Sequence, residues 1–385
     1  MEGKSFILVS VPQAQNGSEF ARLKQACCQA QNLCIAYKLQ LPALRMGTLD
    51  ALISLCDDLD RVDHSIEGTC RRLVSLRNAI NHEDLQHNDN DQNLMVSNMS
   101  LDTYCVKFRW DEKRYPTRTP LASVVSILNS ATQKIDEQCR TKQADWNTMI
   151  SALTAANRKQ TGSLRDKDID SSLVKQSDIV DTDYMQTLFV LVTGGQQKQF
   201  LEQYETLAAM VVPRSAKVIT SEGDYTLYRV VLFRRAADDF RTACRENRFM
   251  VRDFVDDNGD NKKATKTLER NVEKQAKTLR RWTAAQFSEV FTAWTHLKAV
   301  RLFVESVLRY GPPANYETMI LVPNKNDVKK LRSALATLYA GLTSTSMLEN
   351  DDDDDGVVPG ATNTSFYAYV SVDFDIDLGV SDAVM

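Results

Sequence analysis

The stretch that decides the fold is Trp294–Pro323, WTHLKAVRLFVESVLRYGPPANYETMILVP. Apolar residues of its first half are separated by three or four positions, as on the buried face of an amphipathic helix: Leu297, Val300, Val304, Val307 and Leu308. Gly311 can adopt the left-handed cap conformation and the two prolines after it forbid further helix, so the helix should end at about Tyr310. The run Thr318–Val322 then predicts a buried strand.

Two long helices are predicted, one on each side of the middle of the chain. From Thr119 to Gln160, apolar residues repeat every seven positions with partners four positions later, interrupted by Thr132 and Lys142. The repeat consists of Leu121, Val125, Leu128, Ile135, Cys139, Trp146, Met149, Leu153 and Ala156. A second repeat begins after the loop Asp256–Lys263 and runs into the opening stretch. A helix of about 40 residues is roughly 60 Å long, too long for one compact domain. The pair therefore predicts an antiparallel stalk.

The segments outside these helices carry mixed strand and helix signals. Between the helices we predict the strands Thr187–Val192, Ala216–Thr220 and Tyr225–Phe233 and the helices Gln196–Met210 and Ala236–Phe249. In the terminal thirds we predict strands at Ser5–Val11, Thr103–Trp110 and Phe366–Asp375, and helices at Glu19–Ala36, Leu49–Ile80 and Asn326–Leu342. The prediction is an elongated α+β dumbbell. Residues 1–115 and 286–385 form a foot, residues 116–160 and 261–285 a helical neck, and residues 161–260 an inserted head.

Composition excludes several classes of protein. The 385 residues are 43% apolar, with a formal charge of −4, so bulk attraction to nucleic acid or to an anionic membrane is not expected. No apolar run approaches the roughly 18 residues that span a bilayer. The beginning MEGKSFILVSV lacks the features of a signal peptide. Eight cysteines without metal-ligand spacing are therefore expected to be free thiols in the cytosol, packed as small apolar side chains rather than in disulfides.

The sequence shows no catalytic or cofactor-binding motif. A phosphate-binding loop would need GxxxxGK[ST], and Gly194-Gly195 is followed by no such pattern. The run Asp256–Asp260 resembles the start of a calcium loop, but its glycine is misplaced and Thr267 stands where a bidentate glutamate is required. Glu305 could act as a general base, but its spacing from Arg309 favours an ordinary helix ion pair. We expect no catalytic residues, no metal and no cofactor.

One charged surface is a candidate for binding a partner. Arg241, Arg245, Arg248 and Arg252 of the predicted head helix are spaced by four, three and four positions, which places them on one face. A basic stripe fits an acidic protein partner. The alternative, equally weighted, is a solvated face partly neutralised by neighbouring acidic side chains: Asp238, Asp239 and Glu246.

Several motifs resemble one protein family. Trp294–Pro323 is similar to the family pattern ALRVFVESVLRYGLP followed by a strand. The other resembling segments are Phe6–Gln13 (FILVSVPQ), Gly47–Leu52 (GTLDAL), Arg158–Leu164 (RKQTGSL) and Tyr204–Ile219 (YETLAAMVVPRSAKVI). All resemble the C subunit of the eukaryotic V-type proton-translocating ATPase. The chain differs from the family pattern in three places: at Tyr369–Leu378 and the residues after it, where family members commonly end, in the loop Asn81–Asn93 and in the run Asp351–Asp355.

The resemblance implies a role as well as a fold. It implies a non-catalytic subunit of the V1 sector of a rotary proton pump, with a foot, a neck and a head. The implied partners are the peripheral stalks, built from the E and G subunits, and the cytosolic N-terminal domain of the membrane-bound a subunit. The implied place is the cytosolic face of vacuolar and endolysosomal membranes, and the implied task is assembly and regulated V1/Vo association. An actin or cytoskeletal binding module is an alternative, as is an unrecognised enzyme that uses Glu305 or a cysteine.

Overall fold

The computed structural model describes residues 5–13, 18–83, 94–171, 173–254, 260–312, 315–324, 327–340 and 369–378. The chain divides into two compact units. Unit 1 comprises Met1–Gln143 and Ala276–Met385, and unit 2 is Ala144–Gln275. Both boundaries fall inside the predicted neck segments, and helix and strand occur in both units, as an α+β fold requires. The arrangement of foot, neck and head stays a prediction.

The helices and strands are numbered along the chain. Unit 1 begins with β1 (Ser5–Pro12), α1 (Glu19–Leu23), a π-helical segment (Lys24–Ala30), β2 (Cys34–Leu39), α2 (Leu49–Glu83), β3 (Met95–Val96), β4 (Met99–Ser100) and α3 (Leu101–Val106). Next come α4 (Leu121–Thr161), β5 (Met185–Thr193), α5 (Gln197–Gln203), β6 (Lys217–Glu222), β7 (Tyr225–Phe233), α6 (Ala237–Glu246) and β8 (Met250–Arg252). The chain continues with α7 (Asp260–Tyr310), β9 (Tyr316–Pro323), α8 (Val328–Leu338) and β10 (Val370–Asp375).

Unit 1 is organised around an antiparallel sheet with the strand order β10-β1-β9-β2. Successive side chains of a strand point to opposite faces, and β1 is apolar on both. On one face Ile7 and Val9 pack with α1, the π-helical segment and α8. On the other face Phe6 and Leu8 line a small cavity with residues of α7. The sheet is therefore covered on both sides, which explains why β1 is a continuous apolar run instead of an alternating one.

The predicted glycine-proline stop is confirmed. Helix α7 ends at Tyr310, and Gly311 has a φ of 76° while its N–H donates to the Val307 carbonyl over 2.9 Å. A left-handed residue after the last turn is the usual way to satisfy the final carbonyls of a helix. Strand β9 follows as predicted and pairs with both β1 and β2.

The two predicted long helices are confirmed, with α4 spanning 41 residues and α7 spanning 51. The residues that interrupt the α4 repeat both have partners. Buried Thr132 donates its hydroxyl to the Leu128 carbonyl over 3.0 Å, and the Lys142 ammonium lies 5.1 Å from the centroid of the Trp282 ring on α7. A polar residue at a seam position is tolerated when it finds such partners.

Unit 2 contains the second antiparallel sheet, with the order β6-β7-β5-β8. Leu188, Val190 and Val192 of β5 join one apolar cluster with α5 and α6. Phe189 and Leu191, which alternate with them, join a second cluster on the opposite face. The three predicted strands of this segment are confirmed, and the short β8 was not predicted.

Three sequence predictions are wrong in detail. Thr103–Trp110 is not a strand, because α3 occupies Leu101–Val106 and its first turn is capped by Ser100, whose hydroxyl accepts from the Thr103 N–H over 3.4 Å. The helix predicted to reach Ala36 stops at Ala30, because Asn32 turns the chain at a φ of 51° into β2. Helix α5 ends at Gln203 rather than Met210.

Three other predictions concern parts of the chain outside the description. Most of the loop Asn81–Asn93, the whole run Asp351–Asp355 and most of the run Asp256–Asp260 lie outside the described residues.

Gly162, within the predicted motif RKQTGSL, provides a test of how α4 ends. Its N–H donates to the Arg158 carbonyl over 2.9 Å, and a Cβ added there would lie 2.2 Å from the same oxygen. Gly162→Ala should lower the free energy of unfolding by about 1–3 kcal/mol, the usual cost of overpacking, measured by urea denaturation. The matched control is Gly195→Ala, whose added Cβ would meet nothing within 4 Å. Equal stabilities of the two variants would contradict the steric argument.

Candidate functional site

The structure places the four candidate arginines in unit 2, but not on one helix. Helix α6 ends at Glu246, so only Arg241 and Arg245 are helical. Arg248 occupies a left-handed turn with a φ of 61°, and Arg252 lies in β8. The helical spacing that suggested one continuous face is therefore broken at the end of α6. Whether these residues bind a partner stays a prediction.

Two of the four arginines are already engaged within the unit. The Arg241 guanidinium pairs with Asp253 at 2.6 Å. The Arg252 guanidinium donates to the Lys167 carbonyl over 2.8 Å and also to the Arg165 carbonyl. Both are therefore anchors of β8 and of the turns around it. Arg245 and Arg248 are exposed and form no ion pair within the part of the chain that the structure describes, so they are the two arginines available to a partner.

A second exposed surface in unit 2 is apolar and was missed by the sequence analysis. The side chains of Tyr184, Met210 and Phe233 are 76%, 59% and 39% exposed. Their backbones adjoin, because the Phe233 N–H donates to the Met210 carbonyl over 3.2 Å and the Arg234 N–H donates to the Tyr184 carbonyl over 2.9 Å. We call these three residues the apolar edge. Each lies just outside or at the end of a regular element, so no periodic pattern marked it.

Backbone geometry singles out Met210 within the apolar edge. Its φ is 64°, a left-handed conformation that costs a residue with a side chain roughly 1 kcal/mol or more. Strained, exposed apolar residues of this kind are concentrated at sites that contact other molecules. The edge adjoins basic side chains, since exposed Arg234 directly follows Phe233 and pairs with Asp181.

In unit 1, the charged residues of the opening stretch form a buried cluster. The Lys298 ammonium donates to the Asp63 carboxylate over 2.7 Å and to the Asp373 carbonyl over 2.9 Å. The Trp294 indole N–H donates to the other oxygen of Asp63 over 2.7 Å. Lys298 and Asp63 side chains are each only 8% exposed. The cluster ties α7 to α2 and to β10, with every polar group satisfied by a protein partner, and leaves no open position for a substrate.

Glu305 belongs to the same helix face and behaves as a structural residue. It accepts a hydrogen bond of 2.7 Å from the Arg301 guanidinium, which also pairs with Asp60 at 2.6 Å. Burial raises the pKa of the Glu305 carboxyl above its usual value, and Arg301 opposes the rise. The ion pair joins Glu305 to Arg301 rather than to Arg309, the residue that the spacing suggested. The half-buried Cys56 thiol and the Asp60 carboxylate also lie near Glu305, but Asp60 is held by the same guanidinium, so an ion-pair cluster is favoured over a general base.

His296 is enclosed by aromatic rings. The ring centroids of Phe108, Trp110 and Tyr115 lie 4.9, 5.1 and 4.9 Å from that of His296. The imidazole Nδ1 lies 2.7 Å from the Thr292 carbonyl, and Nε2 accepts from the Asp111 N–H over 3.1 Å. These contacts require the neutral ring with its proton on Nδ1, and burial lowers the pKa of His296 below its usual value. Phe108 and Trp110, which lie in the segment predicted to be a strand, thus pack around one histidine.

The described residues contain no group of three or more His, Cys, Asp or Glu side chains that could hold a metal ion. The cavity beside β1 has a volume of about 10 Å³, room for no more than about one water. Among the same residues, no helix combines the length and apolar character needed to cross a bilayer. The candidate sites that we identify among the described residues are exposed surfaces.

Comparison with known proteins gives a consistent result over nearly the whole chain. The family model for the V-ATPase C subunit matches residues 6–370. The V-type proton ATPase C subunit 1 of Mus musculus is 37% identical over 383 residues, covering 97% of this chain and 98% of the relative. The V-type proton ATPase C subunit of Caenorhabditis briggsae is 37% identical over 378 residues, covering 96% of each. The V-type proton ATPase C subunit 1-B of Danio rerio is 34% identical over 380 residues, covering 97% and 98%.

Removing the buried ammonium tests the role of the Lys298 cluster. Lys298→Met should lower the free energy of unfolding by about 3–5 kcal/mol, because it leaves the Asp63 carboxylate buried without its ammonium partner. The double variant with Asp63→Asn should recover part of that loss. The control is Arg61→Met, which removes an exposed pair with Asp58 and should cost no more than about 1 kcal/mol. If Lys298→Met and Arg61→Met lower the free energy of unfolding equally in chemical denaturation, the argument from burial is wrong.

The enclosure of His296 predicts a dependence of stability on pH. Its pKa in the folded chain is lower than its ordinary value of 6.5, so below that value the unfolded chain binds a proton that the folded chain does not. Stability should therefore fall as the pH decreases from 6.5 toward the lowered pKa. His296→Gln should lose less stability than the unmodified chain between about pH 7.5 and about pH 5.5. The control His64→Gln, at an exposed ring, should keep the original slope. Identical slopes for the unmodified chain and His296→Gln would overturn the assignment.

Proposed function

This chain belongs to the V-ATPase C subunit family, and on that premise we propose that it is a non-catalytic peripheral-stalk subunit of the V1 sector of a rotary ATP-driven proton pump. The observation that carries the proposal is similarity over 96–97% of the chain to proteins of the same length that are themselves V-type proton ATPase C subunits. We place the protein on the cytosolic face of vacuolar or endolysosomal membranes, bound through the assembled pump.

The proposed role is to bridge the stalks of E and G subunits to the cytosolic N-terminal domain of the a subunit. Such a bridge must resist the torque of a rotary motor. Helices α4 and α7, of 41 and 51 residues, support this role, because a long helix with continuous backbone hydrogen bonds is a stiff element that can carry a load along its length. Simultaneous contacts with separate partners strengthen one another by raising the effective concentration, and the loss of one would favour release. We therefore also propose that these contacts allow the association of V1 with Vo to be regulated.

The surface proposed for one of these contacts is in unit 2. Exposed Arg245 and Arg248 supply positive charge that suits an acidic stalk protein, and charge complementarity mainly increases the rate and specificity of association. The apolar edge is a second, separate candidate surface, because Phe233 pairs with Met185 at the start of β5, whereas Met250, two residues after Arg248, pairs with Leu191 near the end of β5. It supplies the kind of aromatic and methionine side chains that carry binding energy in interfaces. The same arginines would also suit an acidic filament, so actin is the second candidate partner. Cosedimentation of the purified chain with actin filaments distinguishes it.

Reconstitution tests the main proposal. The purified chain should show no ATPase activity, yet its addition to V-ATPase complexes depleted of their own C subunit should restore ATP-driven proton transport. Proton transport is measured by quenching of a pH-sensitive dye in vesicles. Failure of the folded chain to restore transport would count against its role in the pump.

Charge reversal tests the partner surface separately. Arg245→Glu combined with Arg248→Glu should weaken binding to the isolated E–G complex at least about tenfold, because a favourable field becomes repulsive. The matched control is Lys198→Glu with Lys266→Glu, two exposed cations of the same unit. Binding is measured by calorimetry at low and at high salt. If both double variants bind as the unmodified chain does, the surface is not the E–G contact.

A further inference from the structure

Two cysteine thiols of unit 1 lie within contact distance. The Sγ atoms of Cys28 and Cys34 are 3.7 Å apart, and either can donate a weak hydrogen bond to the other. Cys28 belongs to the π-helical segment and is half-buried, whereas Cys34 is the first residue of β2 and is buried. Although the chain has eight cysteines, and the structure describes every one of them, no other pair approaches to hydrogen-bonding distance.

The fold holds this pair from both sides. After the π-helical segment, Asn32 reverses the chain at a φ of 51°, and the Leu33 N–H donates back to the Cys27 carbonyl over 2.9 Å. On the β2 side, the Asn324 N–H donates to the Leu33 carbonyl over 2.9 Å, and the Asn324 side-chain amide donates to the Asn32 carbonyl over 2.6 Å. The turn that brings the thiols together is therefore fixed by backbone hydrogen bonds and does not depend on a sulfur–sulfur bond.

We propose that Cys28 and Cys34 form a redox-modifiable dithiol, which a hydroperoxide oxidises to an intramolecular disulfide. A disulfide needs a sulfur–sulfur distance of about 2.05 Å, so the two sulfur atoms must approach by roughly 1.7 Å. Side-chain rotation about the two Cα–Cβ bonds supplies an approach of that size where the backbone already faces the residues toward each other. The other half-exposed thiol, Cys56, has no such neighbour.

The chemistry proceeds in two steps that balance. The Cys28 thiolate attacks a peroxide oxygen, which forms a sulfenic acid at Cys28 and releases water or an alcohol. The Cys34 sulfur then attacks the Cys28 sulfur, the sulfur–sulfur bond forms, and the hydroxyl leaves as water with the Cys34 proton. Two thiols are oxidised and one peroxide is reduced. Reduction by a thiol such as glutathione reverses the change.

The difference in exposure between Cys28 and Cys34 indicates which thiol reacts first with the peroxide. Cys28 can meet a soluble oxidant, whereas Cys34 is shielded and can react only with a sulfur that is already beside it. Burial raises the pKa of the Cys34 thiol far above its usual range, with the neighbouring Cys28 as a further cause. Cys34 is therefore a poor first nucleophile, and direct attack on peroxide is not its role. Cys27 is also buried and so is shielded from a soluble oxidant, burial raises its pKa to about 11, and unlike Cys34 it has no sulfur within hydrogen-bonding distance.

A single proteolytic peptide reports the outcome. Cleavage after lysine and arginine yields Gln25–Lys38, which contains Cys27, Cys28 and Cys34. The full, reduced chain is treated with hydrogen peroxide and is then unfolded in denaturant with a maleimide that blocks free thiols. After digestion, the mass of the peptide is measured by mass spectrometry. The oxidised peptide should carry one maleimide instead of three, should be lighter by about 2 Da apart from the lost adducts, and should regain all three after treatment with dithiothreitol.

Single serine variants identify the bonded pair. Cys27→Ser should still form the disulfide, whereas Cys28→Ser should abolish it and leave Cys34 free to react with maleimide after unfolding. Cys34→Ser should trap Cys28 as a sulfenic acid that a dimedone probe labels, and Cys56→Ser should change nothing in this peptide. Thermal unfolding of each reduced variant checks that the fold is kept.

Two results would overturn the proposal. The first is that peroxide converts Cys28 to sulfinic acid in the unmodified chain while Cys34 keeps its maleimide. The second is that the disulfide persists in the Cys28→Ser variant, which would assign it to Cys27 and Cys34.

Discussion

The Lys298 ammonium is the contact on which unit 1 depends, because a charge taken out of water must be surrounded by partners in fixed positions. Its partners come from three parts of the chain: the Asp63 carboxylate on α2, the Asp373 carbonyl and the adjacent Phe374 ring on β10, and the Trp294 ring one turn earlier on α7 itself. None of these parts is close to another in sequence. The hydrogen bonds of the Lys298 ammonium therefore specify how α7, α2 and β10 pack against one another.

The C-terminal end of α7 is also held by one polar group that hydrogen-bonds to separate parts of the chain. The Tyr310 hydroxyl donates to the Ser10 carbonyl over 2.7 Å and accepts from the Val370 N–H over 3.1 Å, so it joins β1 and β10 at the point where α7 stops. Burial raises the pKa of this tyrosine to about 12, so its hydroxyl remains a donor even above the pH at which an exposed tyrosine ionises. The segment that resembles the family signature is thus constrained by packing and by hydrogen bonding. Its charged and polar residues resemble a catalytic site in the sequence, but in the fold each one serves an adjoining element.

The two compact units differ in what their surfaces offer. In unit 1, Lys298, Arg301 and Glu305 of the signature are buried or half-buried and pair with charged groups of the same unit, and Cys28 and Cys34 form a pair of thiols. In unit 2, Arg245, Arg248 and the apolar edge face water, while Arg241 and Arg252 stabilise the short strand β8. A protein whose proposed work is to connect others is expected to show this division, because its internal polar groups maintain shape and its exposed groups select partners. The family of the chain follows from the comparisons, and the proposal that its exposed residues bind partners rests on their exposure and charge.

The sequence by itself determined the parts of the fold that follow from local rules. Heptad spacing predicted α4 and α7, the glycine-proline stop predicted the end of α7 at Tyr310, and apolar runs predicted β1, β5, β7 and β9. These signals are strong because each is repeated along the chain or is required by the chemistry of a residue.

The tertiary structure alone decided the rest. The sequence predicts a strand at Thr103–Trp110, but Leu101–Val106 forms α3, and Phe108 and Trp110 pack on His296. The arginine spacing predicts one helical face, although α6 ends at Glu246. The apolar edge and the Cys28–Cys34 contact join residues through turns with positive φ, whose partners no periodic pattern along the chain can specify.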